Sequence, residues 1–452
     1  MSDFNEVRYP FNSAIEFFRD GYWRQPAAIH LIFAYIAVAA FVLFVLTRKK
    51  YSAGQKLVAL YFCLTPFNNF AFQIGGASLG DFFGILASLY FVGDWVLKLR
   101  GWQNNLVTNF LLLTAVTFAA HALVVELIYP NLNDQAGFTR VALILKVFVL
   151  AFSVSLFSQE FGSEESIDWF VNQVVNFALL AIGVYFLQAV LLLVGIVPYG
   201  LYLGANFVPV PTFGGVSIER GHFGKFVTPL FPLFLIVLKK DKRWLAFAVF
   251  VLVTLVNISA SSLIYFAGYS ALAILAYRRS FWKAKTFGLT VPLVLAFVGM
   301  LIAARSILWS VCQKVIELAI EGDRSGGRGT AVLWEYLSRY PLGLSYGGST
   351  LRVAANLDEI NSGVLAFISQ LSLLAPFILF ALGFLVYRIL RSGRIDDVHI
   401  RRALLIGIFM MFFIFFSDIL WFVPTIWAPL VLYYQFIRKG SSSDLVPKLT
   451  PI

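Results

Sequence analysis

Hydrophobic residues occur along most of this chain in long runs that short polar connectors separate. Runs such as Leu31–Leu46, Leu106–Val125 and Gly363–Leu385 each hold close to the 20 or so apolar residues that a membrane-spanning helix needs. The pattern therefore predicts an all-α fold, a polytopic transmembrane helix bundle of about 12–14 spans in one integral membrane domain, 1–452.

The boundaries of the apolar runs predict about thirteen spans. They lie at about 27–47, 55–73, 79–97, 106–129, 139–158, 169–197, 225–238, 244–258, 262–277, 286–308, 363–390, 402–418 and 423–437. The two short spans 225–238 and 244–258 flank a basic connector, and we expect them to form a steep helical hairpin.

Composition agrees with a membrane protein. Hydrophobic residues make up 60% of the chain and charged residues 13%, whereas a soluble domain carries about 25% charged residues. The net charge of +11 lies in short connectors such as 48–50, 239–243 and 391–402, so it indicates cytoplasmic loops rather than nucleic-acid binding. Counting spans back from these connectors predicts a cytoplasmic C-terminus, with a polar tail at 440–452, and an N-terminus on the other side.

Two longer polar stretches fall on the side opposite the basic connectors. The first, 198–224, contains three prolines and six glycines, which exclude a continuous helix. The second, 309–362, is long enough for short helices, and its apolar spacing predicts one at Ala331–Tyr340. Within it, Arg324–Asn361 is a glycine-rich polar island with four arginines, which we expect to lie in water at one membrane face.

Cationic side chains in these stretches are candidate anion ligands. Arg220, His222 and Lys225 directly precede a span and would form a cationic pocket at headgroup level, because the guanidinium fork matches phosphate oxygens. In the alternative, Arg220 pairs with Glu219 and Lys225 extends to the interface. The residues alone leave both readings open.

The island offers a second set of candidates. Arg324 and Arg328 flank glycines that allow close backbone approach to an anion, although a solvated turn explains the same residues. Asp358 and Glu359 supply carboxylates for general-base catalysis, or they complement the dipole of the helix that follows. Histidines are scattered and no metal-binding cluster appears, so the sequence predicts neither a metal nor a cofactor.

Several charges fall inside predicted spans, where charge is costly and often functional. They are Asp81, Asp94, Glu126, Lys146 and Asp418. Lys146 is the deepest, and we expect it to pair with one of the acidic residues. A proton or ion pathway and structural ion pairs remain alternative explanations, and the role of His121 is equally open.

With these residues identified, the chain resembles the bacterial O-antigen polymerase and O-antigen ligase superfamily from about residue 200 to 385. Three pieces carry the resemblance: 219–224 followed by Pro229, the serine-rich turn 259–262, and the loop from Arg328 through 340–347 to Asn361. The ligase branch places a histidine beside the position of Asn361, where this chain has Ile360, and this favours the polymerase branch. The serine turn also lacks the arginine often found there.

The resemblance implies a function at the periplasmic face of a bacterial inner membrane. The substrate would be glycan repeat units on undecaprenyl diphosphate, polymerised into O-antigen or a related polysaccharide, with membrane lipids and a chain-length regulator protein as further partners. An O-antigen ligase, and a transporter or flippase of lipid-linked solutes, are the alternatives. Nucleic acid is not expected as a partner.

The same resemblance implies roles for individual residues. Arg220 and Arg328 would bind the diphosphates, with Arg324, Arg352 and Lys225 as secondary ligands. Glu359, Asp358 and His222, in that order, are the candidate general bases. Aromatic residues that would stack on sugar faces, although core packing is their ordinary role, are Trp334, Tyr336, Tyr340 and Tyr346.

Overall fold

The computed structural model describes residues 28–65, 78–97, 105–129, 134–193, 227–238, 245–246, 248–250, 253, 260–281, 337–346, 363–417 and 421–443. Across these ranges every regular element is a helix, and no strand is present. The structure therefore confirms the all-α class predicted from the hydrophobic pattern.

The helices fall into an amino-terminal and a carboxyl-terminal group. The first comprises α1 (Ala28–Leu46), α2 (Ala53–Leu64), α3 (Leu79–Val96), α4 (Leu106–Ile128), α5 (Asp134–Glu160) and α6 (Glu164–Leu193). The second comprises a 3₁₀ turn, Thr228–Leu230, then α7 (Phe231–Val237), α8 (Ala260–Phe281), α9 (Gly363–Leu371), α10 (Leu374–Ser392), α11 (Val398–Ser417) and α12 (Pro424–Ser443).

Six of the described helices are long and apolar enough to cross a membrane. They are α3, α4, α5, α6, α10 and α11. Shorter apolar stretches are α2, the 3₁₀ turn together with α7, Phe33–Leu46 within α1 and Tyr265–Tyr277 within α8. The chain is thus a helical membrane protein, while the predicted span at 286–308 lies outside the described residues.

Polar side chains determine where α2, α3 and α4 begin. The hydroxyl of Ser52 accepts from the backbone of Gln55, whose side chain accepts in return from the backbone of Ser52. Ser78 heads α3 in the same reciprocal manner, and Asn105 accepts from the backbone N–H of Val107 at 2.9 Å. Each cap satisfies N–H groups that a helix start would otherwise leave without partners.

One end of the bundle gathers basic side chains, and we call it the basic end. Lys50 pairs there with Glu165, and Lys439 Nζ lies 2.6 Å from Glu164. The pairing with Glu165 raises the pKa of the Lys50 ammonium. The start of α2, the α5–α6 turn and the end of α12 therefore meet at the basic end, the side predicted to be cytoplasmic.

At the opposite end, α2 and α3 form an antiparallel pair. A Cβ on Gly80 would lie 2.3 Å from the backbone nitrogen of Thr65, so only glycine allows this close approach. Helix α2 is 12 residues long, or about 18 Å, against about 30 Å for the hydrocarbon core. The predicted span 55–73 is therefore helical to Leu64, and 66–77 lie outside the described residues.

The predicted span 363–390 is divided between two helices in the structure. Ser372 adopts a left-handed conformation, with φ of 48°, between α9 and α10. Pro376 lies four residues later, and a proline ring clashes with the carbonyl of residue i−4 in a continuous helix. The proline therefore favours a break at Ser372, and we call this break the α9–α10 junction.

One further boundary differs from the prediction. Helix α12 continues to Ser443, so the first four residues of the predicted polar tail 440–452 are helical. The segments on either side of the predicted hairpin connector pack together, since the centroid of the Phe250 ring lies 5.0 Å from that of Phe234 and 5.1 Å from that of Phe231.

Candidate functional site

Part of the polar island is inserted into the bundle. Residues 340–346, the inserted segment, end in three buried side chains, since Leu344, Ser345 and Tyr346 are exposed by 1% or less. The expectation that the whole island lies in water was wrong for these residues. They pack against helices instead, and residues 337–339 before them form a short helical turn.

Three hydrogen bonds join the inserted segment to its neighbours. They run from Ser372 Oγ to Pro341 O at 2.6 Å, from His121 Nε2 to Leu342 O at 2.8 Å, and from Leu344 N to Ser369 O at 3.2 Å. A carbonyl oxygen can only accept, so His121 carries its proton on Nε2. Helix α4 and the α9–α10 junction therefore hold the inserted segment from two sides.

The close approach of the two segments depends on Gly343. Its φ of 81° lies in the left-handed region, and a Cβ there would come within 2.4 Å of the carbonyl oxygen of Gln370. Ser345, with φ of 66°, is a second left-handed residue in the inserted segment. Non-glycine residues persist in this conformation where the surrounding structure enforces it.

Aromatic rings connect the inserted segment to the bundle core. The rings of Tyr346 and Phe118 stack with centroids 4.2 Å apart, and Phe367 and Trp421 stack at 4.9 Å. Phe118 and Phe367 meet edge to face at 6.1 Å, so the four rings form one array. Burial raises the pKa of the Tyr346 phenol. The observed contacts of Tyr346 are those of core packing, and its predicted sugar-binding role stays a prediction.

The predicted pairing of Lys146 is confirmed. Lys146 Nζ lies 3.0 Å from Asp81 Oδ2, with both residues buried. The same carboxylate oxygen accepts from the backbone nitrogen of Ser78 at 2.8 Å and from its hydroxyl at 3.0 Å. Lys146 Nζ also lies 5.1 Å from the centroid of the Phe422 ring. Asp81 therefore both caps α3 and neutralises a buried ammonium, as a structural ion pair would.

A second ion pair joins α4 to α5 at the end opposite the basic end. Arg140 Nη1 donates to Glu126 Oε2 at 3.0 Å. Arg140 is only 3% exposed, whereas the Glu126 side chain is 53% exposed. Within the part of the chain that the structure describes, the Nε and Nη2 atoms of Arg140 are buried without a hydrogen-bond partner. Arg140 thus has spare donors beside a half-exposed carboxylate.

An aromatic pair lies at the same end of α4 as this ion pair. Tyr129 caps the C-terminus of α4, and its ring meets that of Tyr340 edge to face with centroids 5.4 Å apart. Glu126 lies three residues before Tyr129, so the ion pair and the aromatic pair share this end of α4. We call Arg140, Glu126, Tyr129 and Tyr340 together the Arg140 patch.

Most residues predicted for the site lie outside the described residues. They are Arg220, His222, Lys225, Arg324, Arg328, Trp334, Tyr336, Arg352, Asp358 and Glu359. Of the intramembrane charges, Asp418 also lies outside them, and Asp94 lies near the end of α3. The predicted helix Ala331–Tyr340 is described only from residue 337. Tyr340 and Tyr346 are the site candidates that the structure places.

Sequence reasoning missed Arg140. An arginine at the edge of a predicted span usually extends to the interface, so it did not stand out among the intramembrane charges. The available signal was its position relative to Glu126. The two residues end and begin consecutive spans joined by a short connector, and such ends meet at one membrane face.

Comparison with known proteins finds no matching family model, curated protein or solved structure.

Proposed function

We propose that the chain is a metal-independent membrane glycosyltransferase that polymerises oligosaccharide repeat units carried on undecaprenyl diphosphate. The observation that carries this proposal is the insertion of residues 340–346 into the bundle at the end opposite the basic end. In the predicted orientation this end is the periplasmic face, at which a translocated lipid-linked glycan would be presented. The resemblance of the island and of 219–224 to the O-antigen polymerases supplies the reaction.

Several proposed site residues belong to the stretch of chain between two described elements. Residues 347–362 join the buried Tyr346 to Gly363 at the start of α9. This stretch contains a cation, Arg352, and two carboxylates, Asp358 and Glu359. The proposal assigns these residues to one substrate at this end of the bundle.

The proposed chemistry matches these residue types. Cleavage of the anomeric C–O bond leaves negative charge on the departing diphosphate, and fixed cations stabilise that charge as it develops. Arg220 and Arg328 take this role, supported by Arg324, Arg352 and Lys225. Glu359 accepts the proton of the attacking hydroxyl, and Asp358 and then His222 are the next candidates for this role. Trp334, Tyr336 and Tyr340 contact sugar rings.

A gel of surface polysaccharide tests the proposal in cells. Deleting the gene should abolish the ladder of chain lengths and leave one repeat unit on the lipid core. Arg220→Ala and Arg328→Ala should abolish the ladder at unchanged protein level. Arg388→Ala removes an exposed arginine of α10 towards the basic end, so it should retain the ladder. Normal chain lengths in both test variants would overturn the diphosphate assignment.

A transporter or flippase of lipid-linked glycans is the second candidate. Transporters bind their solutes at interrupted helices and use intramembrane charges. In this chain the α9–α10 junction is a helix interruption, and the Lys146–Asp81 pair supplies buried charges. The same gel separates the functions, because loss of a flippase removes every repeat unit, including the single one. Loss of a ligase also removes every unit, while lipid-linked polymer accumulates in the membrane.

A further inference from the structure

Arg140 is a buried cation with incomplete hydrogen bonding. A guanidinium presents five N–H donors in a planar fork, and a buried donor without a partner costs free energy. Among the described residues Glu126 is its acceptor, while Nε and Nη2 are buried without a hydrogen-bond partner. An additional anion with several oxygen acceptors would complete the hydrogen bonding of Arg140.

The position of Arg140 fits an anionic group held by a lipid. Arg140 lies six residues after the first residue of α5, beside the start of the predicted span 139–158, and Glu126 lies two residues before the end of α4. Both therefore lie near the membrane boundary opposite the basic end, at the level of lipid phosphates. The exposed side of the Glu126 carboxylate gives a route by which a ligand reaches this position.

We propose that Arg140 binds a lipid-borne phosphate group, and that Glu126 occupies the place of this phosphate in the ligand-free protein. Phosphate oxygens match the guanidinium fork with two parallel hydrogen bonds, which a carboxylate contacting Nη1 alone does not achieve. The side chain of Arg140 turns towards the exposed side as the phosphate displaces Glu126. Tyr129 and Tyr340 then lie beside the group attached to the phosphate.

The identity of that attached group rests on the proposed function. If the ligand is a glycan on undecaprenyl diphosphate, the aromatic pair contacts its first sugar, since aromatic faces pack on the C–H faces of sugar rings. A phospholipid headgroup presents the same phosphate chemistry without a sugar. The phosphate site does not depend on which of these lipids fills it.

Binding to the purified full-length protein in detergent tests this inference. Undecaprenyl diphosphate and phosphatidylglycerol are titrated separately, and bound lipid is measured by native mass spectrometry. Arg140→Gln should weaken binding of undecaprenyl diphosphate about tenfold or more, the effect of losing charge-assisted hydrogen bonds. Arg388→Gln, the same substitution at an exposed arginine of α10, should leave binding unchanged.

The Glu126→Gln variant distinguishes a phosphate site from an ion pair with a purely structural role. It removes the competing negative charge and keeps the side-chain shape, so it should strengthen phosphate binding several-fold. Unchanged or weaker binding in Glu126→Gln would overturn the displacement model, even if Arg140→Gln proved unable to fold. Normal binding in a folded Arg140→Gln protein would overturn the phosphate site itself.

The two lipids separate this inference from the proposed function. Arg140-dependent binding of undecaprenyl diphosphate alone supports a glycan-carrier site. Equal Arg140-dependent binding of phosphatidylglycerol assigns the site to a headgroup and overturns the link to the glycan carrier. A deletion strain with normal polysaccharide would instead contradict the polymerase proposal, whatever the binding results.

Discussion

The hydroxyl of Ser372 donates a 2.6 Å hydrogen bond to the carbonyl oxygen of Pro341, which lies 31 residues earlier in the chain. Ser372 forms the break between α9 and α10, and Pro341 belongs to the inserted segment. The bond therefore joins an interrupted helix to the arginine-rich island. It indicates that the break and the insertion form one structural unit.

Gly343→Ala should disrupt this unit. The new Cβ would approach the carbonyl oxygen of Gln370 to 2.4 Å, and alanine is also disfavoured at a φ of 81°. We expect a loss of about 1–3 kcal/mol of stability, and a lower melting temperature in detergent. Gly383→Ala in α10 is the matched control, because its Cβ would meet nothing within 4 Å. Equal melting temperatures for wild type and Gly343→Ala would contradict the described packing.

The Lys146–Asp81 pair should behave as a coupled structural element. Lys146→Met and Asp81→Asn each leave one polar group buried without its partner, at a cost of about 3–5 kcal/mol. The double variant should be more stable than the sum of the two losses predicts. Lys50→Met is the control, because both side chains of the Lys50–Glu165 pair are mostly exposed and such pairs contribute little.

The activity of the same double variant separates the two explanations of these charges. A stable double variant with full activity supports a structural role alone. A stable double variant that has lost activity would indicate that the charges take part in the reaction or in ion movement.

Tyr346→Phe should increase stability. The Tyr346 hydroxyl is buried and has no hydrogen-bond partner among the described residues, so its removal relieves a cost of about 1–3 kcal/mol. The control is Tyr277→Phe, which should lower stability because the Tyr277 hydroxyl donates to the carbonyl of His399 at 2.9 Å. A lower melting temperature in Tyr346→Phe would show that the hydroxyl has a partner.

Tyr340 should contribute to chain elongation through its ring. Tyr340→Phe keeps the ring and its contact with Tyr129, and we expect chain lengths near those of the wild type. Tyr340→Ala removes the ring and should shorten the chains on a polysaccharide gel. Identical chain-length profiles for the two variants would exclude a contact of the Tyr340 ring with the substrate.

Hydrophobic runs were sufficient to predict the helices, because burying an apolar run within a bilayer requires a helix whatever its neighbours are. Predicted and observed bounds agree closely for α1, α3 and α4. The break at Ser372 was missed because Leu373, Leu374 and Ala375 continue the apolar run. A single proline such as Pro376 does not interrupt the hydrophobic pattern, although its ring prevents a straight helix there.

The candidate site was less predictable because it depends on contacts between distant segments. The position of Lys146 deep within a predicted span was sufficient to predict an acidic partner, because a charged ammonium group within a membrane is costly. Nothing in the pattern placed Tyr346 in the core, since its neighbours Ser345 and Gly347 are typical of solvated loops. Its burial follows from the stacking on Phe118, which local sequence does not reveal.

The most direct test of the proposed polymerase is elongation by the purified protein. The chain is reconstituted in vesicles with a synthetic repeat unit on undecaprenyl diphosphate, in buffer containing EDTA, and the products are separated by size. We predict chains of several repeat units with release of undecaprenyl diphosphate, and no elongation by the Arg220→Ala and Arg328→Ala variants. An unchanged repeat unit with the wild-type protein, under conditions in which it stays folded, would contradict the proposal.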